Sequence, residues 1–149
     1  MEQAEQDVLL DVRDLHVEFR TRDGVAKAVN GVSYSVAAGR TLAVLGESGS
    51  GKSVTAQAVM GILDSPPGYV TGGQVLFRGT DLLAAAEDDR RRIRGAKLAM
   101  IFQDALSALN PVMTVGAQLG EMYEVHRGAT RKDARAQAVR LMDRVRIPA

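Results

Sequence analysis

The stretch Gly46-Glu47-Ser48-Gly49-Ser50-Gly51-Lys52-Ser53 fits the phosphate-binding pattern G-x-x-x-x-G-K-[S/T] at each fixed position. Its three glycines carry no Cβ, so the backbone can turn sharply and aim successive N–H groups at one anion. A helix that follows such a loop adds unpaired N–H groups and a favourable dipole at its first turn. The stretch therefore predicts a loop that cradles the phosphates of a nucleotide.

Two side chains of this phosphate loop (residues 46–53) add to the backbone cradle. Lys52 is expected to reach the β and γ phosphates, and the Ser53 hydroxyl is expected to help hold Mg²⁺. The flanking sequence agrees, because the apolar run 41–45 predicts a strand and residues 54–63 show helical spacing. The predicted nucleotide-binding residues here are Gly46, Glu47, Ser48, Gly49, Ser50, Gly51, Lys52, Ser53 and Val54.

The composition is that of one globular domain. The chain has 149 residues, of which 46% are hydrophobic and 25% are charged, with a formal net charge of +1. That balance gives no field to attract nucleic acid, and the basic run 90–92 follows the acidic run 87–89 as on a solvated helix face. Cysteine is absent, and no apolar run approaches the length of a membrane span. We expect a protein that faces the cytosol and has no nucleic-acid partner.

The first part of the chain shows the periodicity of strands. Apolar and polar residues alternate over 15–20 and again over 32–36, and Asp23-Gly24 between them is a strong hairpin signal. A second turn is predicted at Asn30-Gly31. The sequence therefore opens with an antiparallel β layer.

Turn residues and helical spacing organise the later segments. The predicted elements are loops at 65–68 and 71–73, a strand at 75–77, a turn at 79–81, a helix at 82–94, and a strand buried on both faces at 98–102. The chain is predicted to be helical after Gln103-Asp104, with Val115, Leu119 and Met122 at helical spacing and a stop at Gly128. A capping box at 130–133 opens the next helix. One face of that last helix should carry Ala134, Ala138, Leu141 and Val145.

Residues 100–111, Met-Ile-Phe-Gln-Asp-Ala-Leu-Ser-Ala-Leu-Asn-Pro, resemble the Q-loop region of the ATPases of ATP-binding-cassette (ABC) transporters. This residue pattern is most similar to that of the dipeptide, oligopeptide and nickel import subfamily. The phosphate loop and the segments 29–33 and 110–116 agree with that resemblance, which covers about residues 8–148.

The resemblance implies an α/β fold of the P-loop NTPase class, namely the N-terminal part of an ABC-type nucleotide-binding domain. Residues 8–103 would form the β layer and the P-loop core, and residues 104–149 would begin the helical subdomain. Residues 106–125 resemble the part of that subdomain that docks on the coupling helix of a membrane subunit. Apolar side chains there, such as Met113 and Met122, fit either that docking surface or a small core.

Two further site residues follow from the resemblance. Phe19 lies where the family places an aromatic ring that stacks on adenine; the alternative is a core phenylalanine on an alternating strand. Gln103 is similar to the Q-loop glutamine, a Mg²⁺ ligand and γ-phosphate sensor; the alternative is a surface glutamine at a strand end. Ala105 stands where the subfamily has proline. Because proline would stiffen the loop, alanine is expected to make the loop transmit motion less firmly.

The hydrolytic parts of the family are absent from this sequence. It has no apolar strand ending in Asp-Glu (the Walker B motif) and no Ser-Gly-Gly signature, and neither His16 nor His126 lies where the switch histidine would. The catalytic residues are therefore missing. We expect the 149 residues alone to bind nucleotide weakly at best and to hydrolyse none.

The resemblance implies an ATP-binding subunit that couples ATP and Mg²⁺ binding to the import of peptides or similar small solutes. Its partners would be membrane permease subunits and a second ATP-binding subunit, at the cytoplasmic face of the inner membrane. The alternatives are a soluble nucleotide kinase or GTPase-like switch, or a nonfunctional remnant; the guanine-reading pattern Asn-Lys-x-Asp is absent. These residues do not identify the transported solute.

Overall fold

The structure is a computed structural model that describes residues 8–104 and 108–147. It divides into two compact units, Met1–Arg90 and Arg91–Ala149. The elements in chain order are β1 (Val8–Thr21), β2 (Gly24–Ala37), α1 (Lys52–Met60), β3 (Gly68–Phe77), β4 (Thr80–Asp81), α2 (Glu87–Ile93), α3 (Val115–Arg127) and α4 (Arg131–Arg144). The division at residue 103 inferred from the sequence stays a prediction. Among the described residues, no helix has the length and apolarity needed to cross a membrane.

The first unit is built on an antiparallel sheet with the strand order β2-β1-β3-β4. The hairpin predicted at Asp23-Gly24 is confirmed, since Thr21 pairs with Gly24 at its tip. Helix α1 contacts β1 and β2. The core of this unit consists of Val12, Leu15, Val17, Val29, Ala58, Val59, Val75, Phe77 and Leu82.

The turn predicted at Asn30-Gly31 and the loop predicted at 71–73 are wrong, because both places lie inside long strands. Gly31, with φ +76°, is the extra residue of a β-bulge between the pairs Leu15↔Val32 and His16↔Asn30. In β3, a Cβ on Gly73 would collide with the backbone carbonyls of β1. Glycine here permits a positive φ or a close backbone approach within a strand and does not end the strand.

The strand predicted at 41–45 is also wrong. These residues have no regular structure, and the sheet found among the described residues does not include them. A strand requires a neighbour for its N–H and C=O groups, and an apolar run alone does not supply one. The segment leaves Leu42, Val44 and Leu45 exposed, with 91% of Leu45 accessible.

Residues 98–102 do not form the predicted buried strand either. Leu98 makes an isolated bridge with Arg94, and the following residues have no regular structure. Ile101 is 97% exposed and Phe102 is 48% exposed. The apolar run again predicted a strand whose pairing partner is not found among the described residues.

The helix predicted over 82–94 is shorter in the structure, where α2 begins at Glu87. The Asp81 carboxylate accepts hydrogen bonds from the N–H groups of Val75 and Leu83, and Leu82 N–H donates to the Val75 carbonyl at 2.8 Å. Residues 81–83 are therefore held against β3. The predicted turn at 79–81 ends in the short strand β4.

The second unit contains the helical hairpin of α3 and α4. Gly128 ends α3 with φ 60° and donates to the Glu124 carbonyl, and Thr130 caps α4 by accepting from Asp133 N–H. Both predicted caps are confirmed. Ala134 and Ala138 are buried and Leu141 is half-buried. The placement of Val145 on the same buried face is wrong, because α4 ends at Arg144 and Val145 is 65% exposed.

Replacing Gly120 with alanine should stabilise the helical hairpin. A Cβ at this buried position in α3 would lie 3.7 Å from the Ala134 Cβ, an ordinary contact. The helix then gains about 0.5 to 1 kcal/mol in unfolding free energy, because alanine loses less backbone entropy than glycine. Chemical denaturation followed by circular dichroism measures the change.

Leucine at the same position should instead cost about 1 to 3 kcal/mol by overpacking. Gly116→Leu is the matched control, because a Cβ at Gly116 in the same helix meets nothing within 4 Å. Equal stabilities of Gly120→Leu and Gly116→Leu would contradict the close packing of α3 on α4.

Candidate nucleotide site

The phosphate loop leads directly into α1 in the first unit. Gly51 is the N-cap residue of this helix and adopts φ 86° and ψ 3°, a conformation that favours glycine. No side chain caps the helix start. The N–H groups of the first helical turn are therefore available to a ligand, as the sequence predicted.

Two glycines of the loop have close neighbours at their Cβ positions. A Cβ on Gly46 would lie 2.6 Å from the Ser50 Oγ and 3.7 Å from the Lys52 Nζ. A Cβ on Gly51 would collide with the backbone carbonyl of Ala28 in β2. The third glycine, Gly49, has φ +80° but no atom within 4 Å of its Cβ position. Gly51 thus permits the close approach of the loop to β2, Gly46 lies against the Ser50 hydroxyl, and Gly49 permits a positive φ.

The Lys52 side chain folds back over the loop that precedes it. Its ammonium donates to the carbonyls of Gly46 at 2.7 Å and Glu47 at 2.6 Å, and to the Ser50 hydroxyl at 3.1 Å. An ammonium has three N–H donors, and all three are engaged. The positive charge therefore lies over the loop where phosphates are expected.

Thr55 anchors the end of the loop, and sequence reasoning missed it. Its N–H and its hydroxyl both donate to the Gly51 carbonyl, at 2.8 Å and 2.9 Å. A threonine one turn after an N-cap is the only sequence signal for such a bond, and it is a weak one. The two bonds fix the carbonyl of Gly51.

The donors of the loop fit an anionic group. Within the described residues, Ser50 N–H is the one backbone donor of residues 46–51 that reaches a protein acceptor, the Glu47 carbonyl at 3.2 Å. The Ser53 side chain lies exposed at the first turn of α1. In the described parts of the chain, no cluster of three or more His, Cys, Asp or Glu residues could hold a metal. One protein hydroxyl suits Mg²⁺, which keeps water and phosphate oxygens as its other ligands.

Phe19 lies near the hairpin tip of the same unit, half-buried on β1. Its partners in the neighbouring strands are Ala26 and Gly68, which are both small. Successive side chains alternate between faces, so Arg20 lies on the other face, where its guanidinium stands 4.6 Å from the centre of the Tyr69 ring. Both strand neighbours of Phe19 are therefore small, and the Leu63 side chain packs at the Gly68 position.

Gln103 belongs to the second unit and is not part of the geometry described for the loop. Its side chain is exposed, in a segment without regular structure. Ala105, the departure from the subfamily pattern, lies outside the described residues. Gln103 therefore stays a predicted Mg²⁺ ligand.

Residues 29–149 match the family model described as ABC transporter. The chain is 44% identical over 140 residues to the oligopeptide transport ATP-binding protein OppD of Bacillus subtilis, a match that covers 94% of this chain and 39% of the relative. It is 46% identical over 140 residues to the dipeptide transport ATP-binding protein DppD of the same organism, with 94% and 42% covered. It is 43% identical over 146 residues to OppD of Escherichia coli, with 98% and 43% covered. The chain thus spans about two fifths of the length of these relatives.

Solved structures show the same fold. The dimeric structure of MJ0796, a bacterial ABC transporter cassette, superposes with a TM-score of 0.74 at 22% identity, covering 90% of this chain and 56% of that chain. A dimeric post-hydrolysis state of that cassette bound to ADP and Pi gives the same values. The fold is therefore that of an ABC cassette, of which this chain covers a part.

Gly51→Ala should destabilise the first unit more than Gly49→Ala. Both replacements force alanine into a left-handed conformation, at a cost of about 1 to 2 kcal/mol. Only the first also drives a Cβ into the Ala28 carbonyl, which should add about 1 to 3 kcal/mol because backbone cannot move aside cheaply. Urea unfolding followed by circular dichroism compares the two, and equal losses would show that the Ala28 contact is not close.

Proposed function

The chain belongs to the ABC transporter family, and from this premise we propose that its phosphate loop binds ATP as part of the ATP-binding subunit of a peptide importer. The observation that carries the proposal is the loop itself. Its glycines leave the backbone without side chains, and the Lys52 ammonium donates to its Gly46 carbonyl. The relatives named as oligopeptide and dipeptide transport proteins support peptides or similar small solutes as the cargo. They favour this function over a soluble kinase or switch.

Different residues would contact different parts of the bound MgATP. The N–H groups of residues 47–54 and the Lys52 ammonium hold the phosphates, and Lys52 exchanges one carbonyl acceptor for a phosphate oxygen. Ser53 would contribute its hydroxyl to Mg²⁺, and Gln103, a residue of the second unit, remains a further Mg²⁺ ligand that we propose from the family pattern. Phe19 stacks on the adenine ring.

The spacing of these groups supports their action on one ligand. Phe19 pairs with Ala26, and Ala26 lies two residues, about 7 Å of strand, from Ala28, whose carbonyl contacts the Gly51 position. A base on Phe19 and phosphates at the loop are therefore a short distance apart along the sheet. Bound ATP would supply the phosphoanhydride bond whose hydrolysis drives transport.

The complete subunit would work with other chains. We propose membrane permease subunits and a second ATP-binding subunit as its partners, at the cytoplasmic face of the membrane. Helix α3 exposes Val115, Met122 and Val125, which suit contact with a permease. The MJ0796 cassette, which shares the fold, is described as a dimer.

Lys52→Ala should weaken ATP binding roughly 10- to 150-fold, because it removes one charge-assisted hydrogen bond to phosphate. Titration calorimetry with MgATP measures the change. Lys132→Ala is the control, since Lys132 is an exposed lysine of α4. Unchanged affinity in Lys52→Ala would refute the role of this lysine.

The same samples test catalysis. We expect the unaltered chain to show no Mg²⁺-dependent ATP turnover, because it contains no Asp-Glu motif to polarise water. Turnover that disappears in Lys52→Ala would overturn that expectation.

Phe19→Ala should weaken ATP binding roughly two- to twelvefold and leave the binding of inorganic tripolyphosphate unchanged. The reason is that tripolyphosphate has no base to stack on the ring. Phe19→Tyr keeps an aromatic face and should retain the affinity for ATP. If Phe19→Ala lowered the affinities for ATP and for tripolyphosphate equally, Phe19 would belong to the core and not to the site.

A further inference from the structure

A β-bulge interrupts the hairpin of β1 and β2 between the aromatic ring and the phosphate loop. Val17 pairs with Val29, and Glu18 pairs with Lys27, so Ala28 is an extra residue on β2 without a partner in β1. A bulge bends its strand, increases the local twist and leaves the extra residue out of the ladder. The Ala28 backbone is thereby released from pairing with β1.

The released carbonyl is the one that meets the phosphate loop. The Ala28 oxygen occupies the space that a Cβ of Gly51 would need, and the adjacent Val29 Cγ2 lies 3.7 Å from the same position. Gly51 is both the last glycine of the loop and the N-cap of α1. The end of the phosphate loop therefore lies against the bulge.

The hairpin tip beyond the bulge carries Phe19. Its pairs are Glu18↔Lys27, Phe19↔Ala26, Arg20↔Val25 and Thr21↔Gly24, with no further irregularity. The tip is a regular ladder, and the bulge at Ala28 is the break in the β1–β2 ladder that lies nearest to it. The direction of the tip relative to the loop is therefore set at Ala28.

We propose that Ala28 is a positioning residue for the nucleotide, because its bulge directs the Phe19-bearing tip so that one ATP molecule can reach both the ring and the phosphate loop. The inference rests on the proposed ATP-binding function. It assigns Ala28 no contact with the ligand; the residue acts through Gly51 on one side and through Phe19 on the other.

Deleting Ala28 tests the inference directly. The deletion makes Val29 and Lys27 consecutive, opposite the consecutive residues Val17 and Glu18, so it regularises the ladder and keeps every other pair. Titration calorimetry gives the dissociation constants of ATP and of inorganic tripolyphosphate. We expect the preference for ATP over tripolyphosphate to fall roughly two- to twelvefold, to the level of Phe19→Ala, because the base contact is lost.

Two further variants separate position from stability. Deleting Leu9 removes the extra residue of another bulge in the same ladder, between Val8↔Ala37 and Leu10↔Val36, and should leave the preference for ATP unchanged even if it lowers stability. Inserting a glycine after Ala28 enlarges the bulge and should also abolish the preference. It provides the test if the Ala28 deletion fails to fold by circular dichroism.

The outcomes distinguish this inference from the proposed function. An unchanged preference for ATP in a folded Ala28 variant overturns the positioning role and leaves ATP binding intact. An equal loss of preference on deleting Leu9 also overturns it, since the effect would then be general to the hairpin. If the unaltered chain binds neither ATP nor tripolyphosphate, the proposed function fails and this inference fails with it.

Discussion

The nucleotide site depends on the close approach of Gly51 to the carbonyl of Ala28. Gly51 ends the phosphate loop and caps α1, and its missing Cβ leaves room for a backbone carbonyl from the neighbouring sheet. Residues 41–47, which enter the loop, have no regular structure. The far end of the loop is therefore fixed by a contact with β2 and by Thr55, which donates twice to the Gly51 carbonyl.

With the loop held in this way, Lys52 can be placed before a ligand arrives. Its ammonium is satisfied by two loop carbonyls and one hydroxyl, so its charge is retained at the site without an unpaired donor. Replacing a neutral carbonyl by a phosphate oxygen exchanges a hydrogen bond with one ionised partner for a hydrogen bond between two opposite charges. Because the side chain is already ordered, binding costs little side-chain entropy. The cradle is thus preorganised for an anion.

The sequence predicted the parts of this fold whose causes are local. The glycine pattern of the loop, the Asp23-Gly24 turn and the Thr130 cap each depend on residues within a few positions, and all were found. The strands predicted at 41–45 and 98–102 failed because pairing requires a distant partner that an apolar run does not specify. The turn predicted at Gly31 is a β-bulge in the structure, because a bulge and a turn both favour a glycine with positive φ. Ala28 itself carries no turn or bulge signal. Its proposed role depends on the pairing register of β1 and β2, which the sequence pattern does not specify.

Binding and hydrolysis of a nucleotide make different demands on a protein. The cradle, Lys52 and Phe19 would hold the ends of ATP in the ground state, and such uniform binding lowers the dissociation constant without lowering the barrier to reaction. Hydrolysis needs groups that act on the attacking water and on charge that develops in the transition state. The sequence carries no Asp-Glu motif for that purpose. The stretch Gly46–Ser53 therefore fits the binding part of the proposed function.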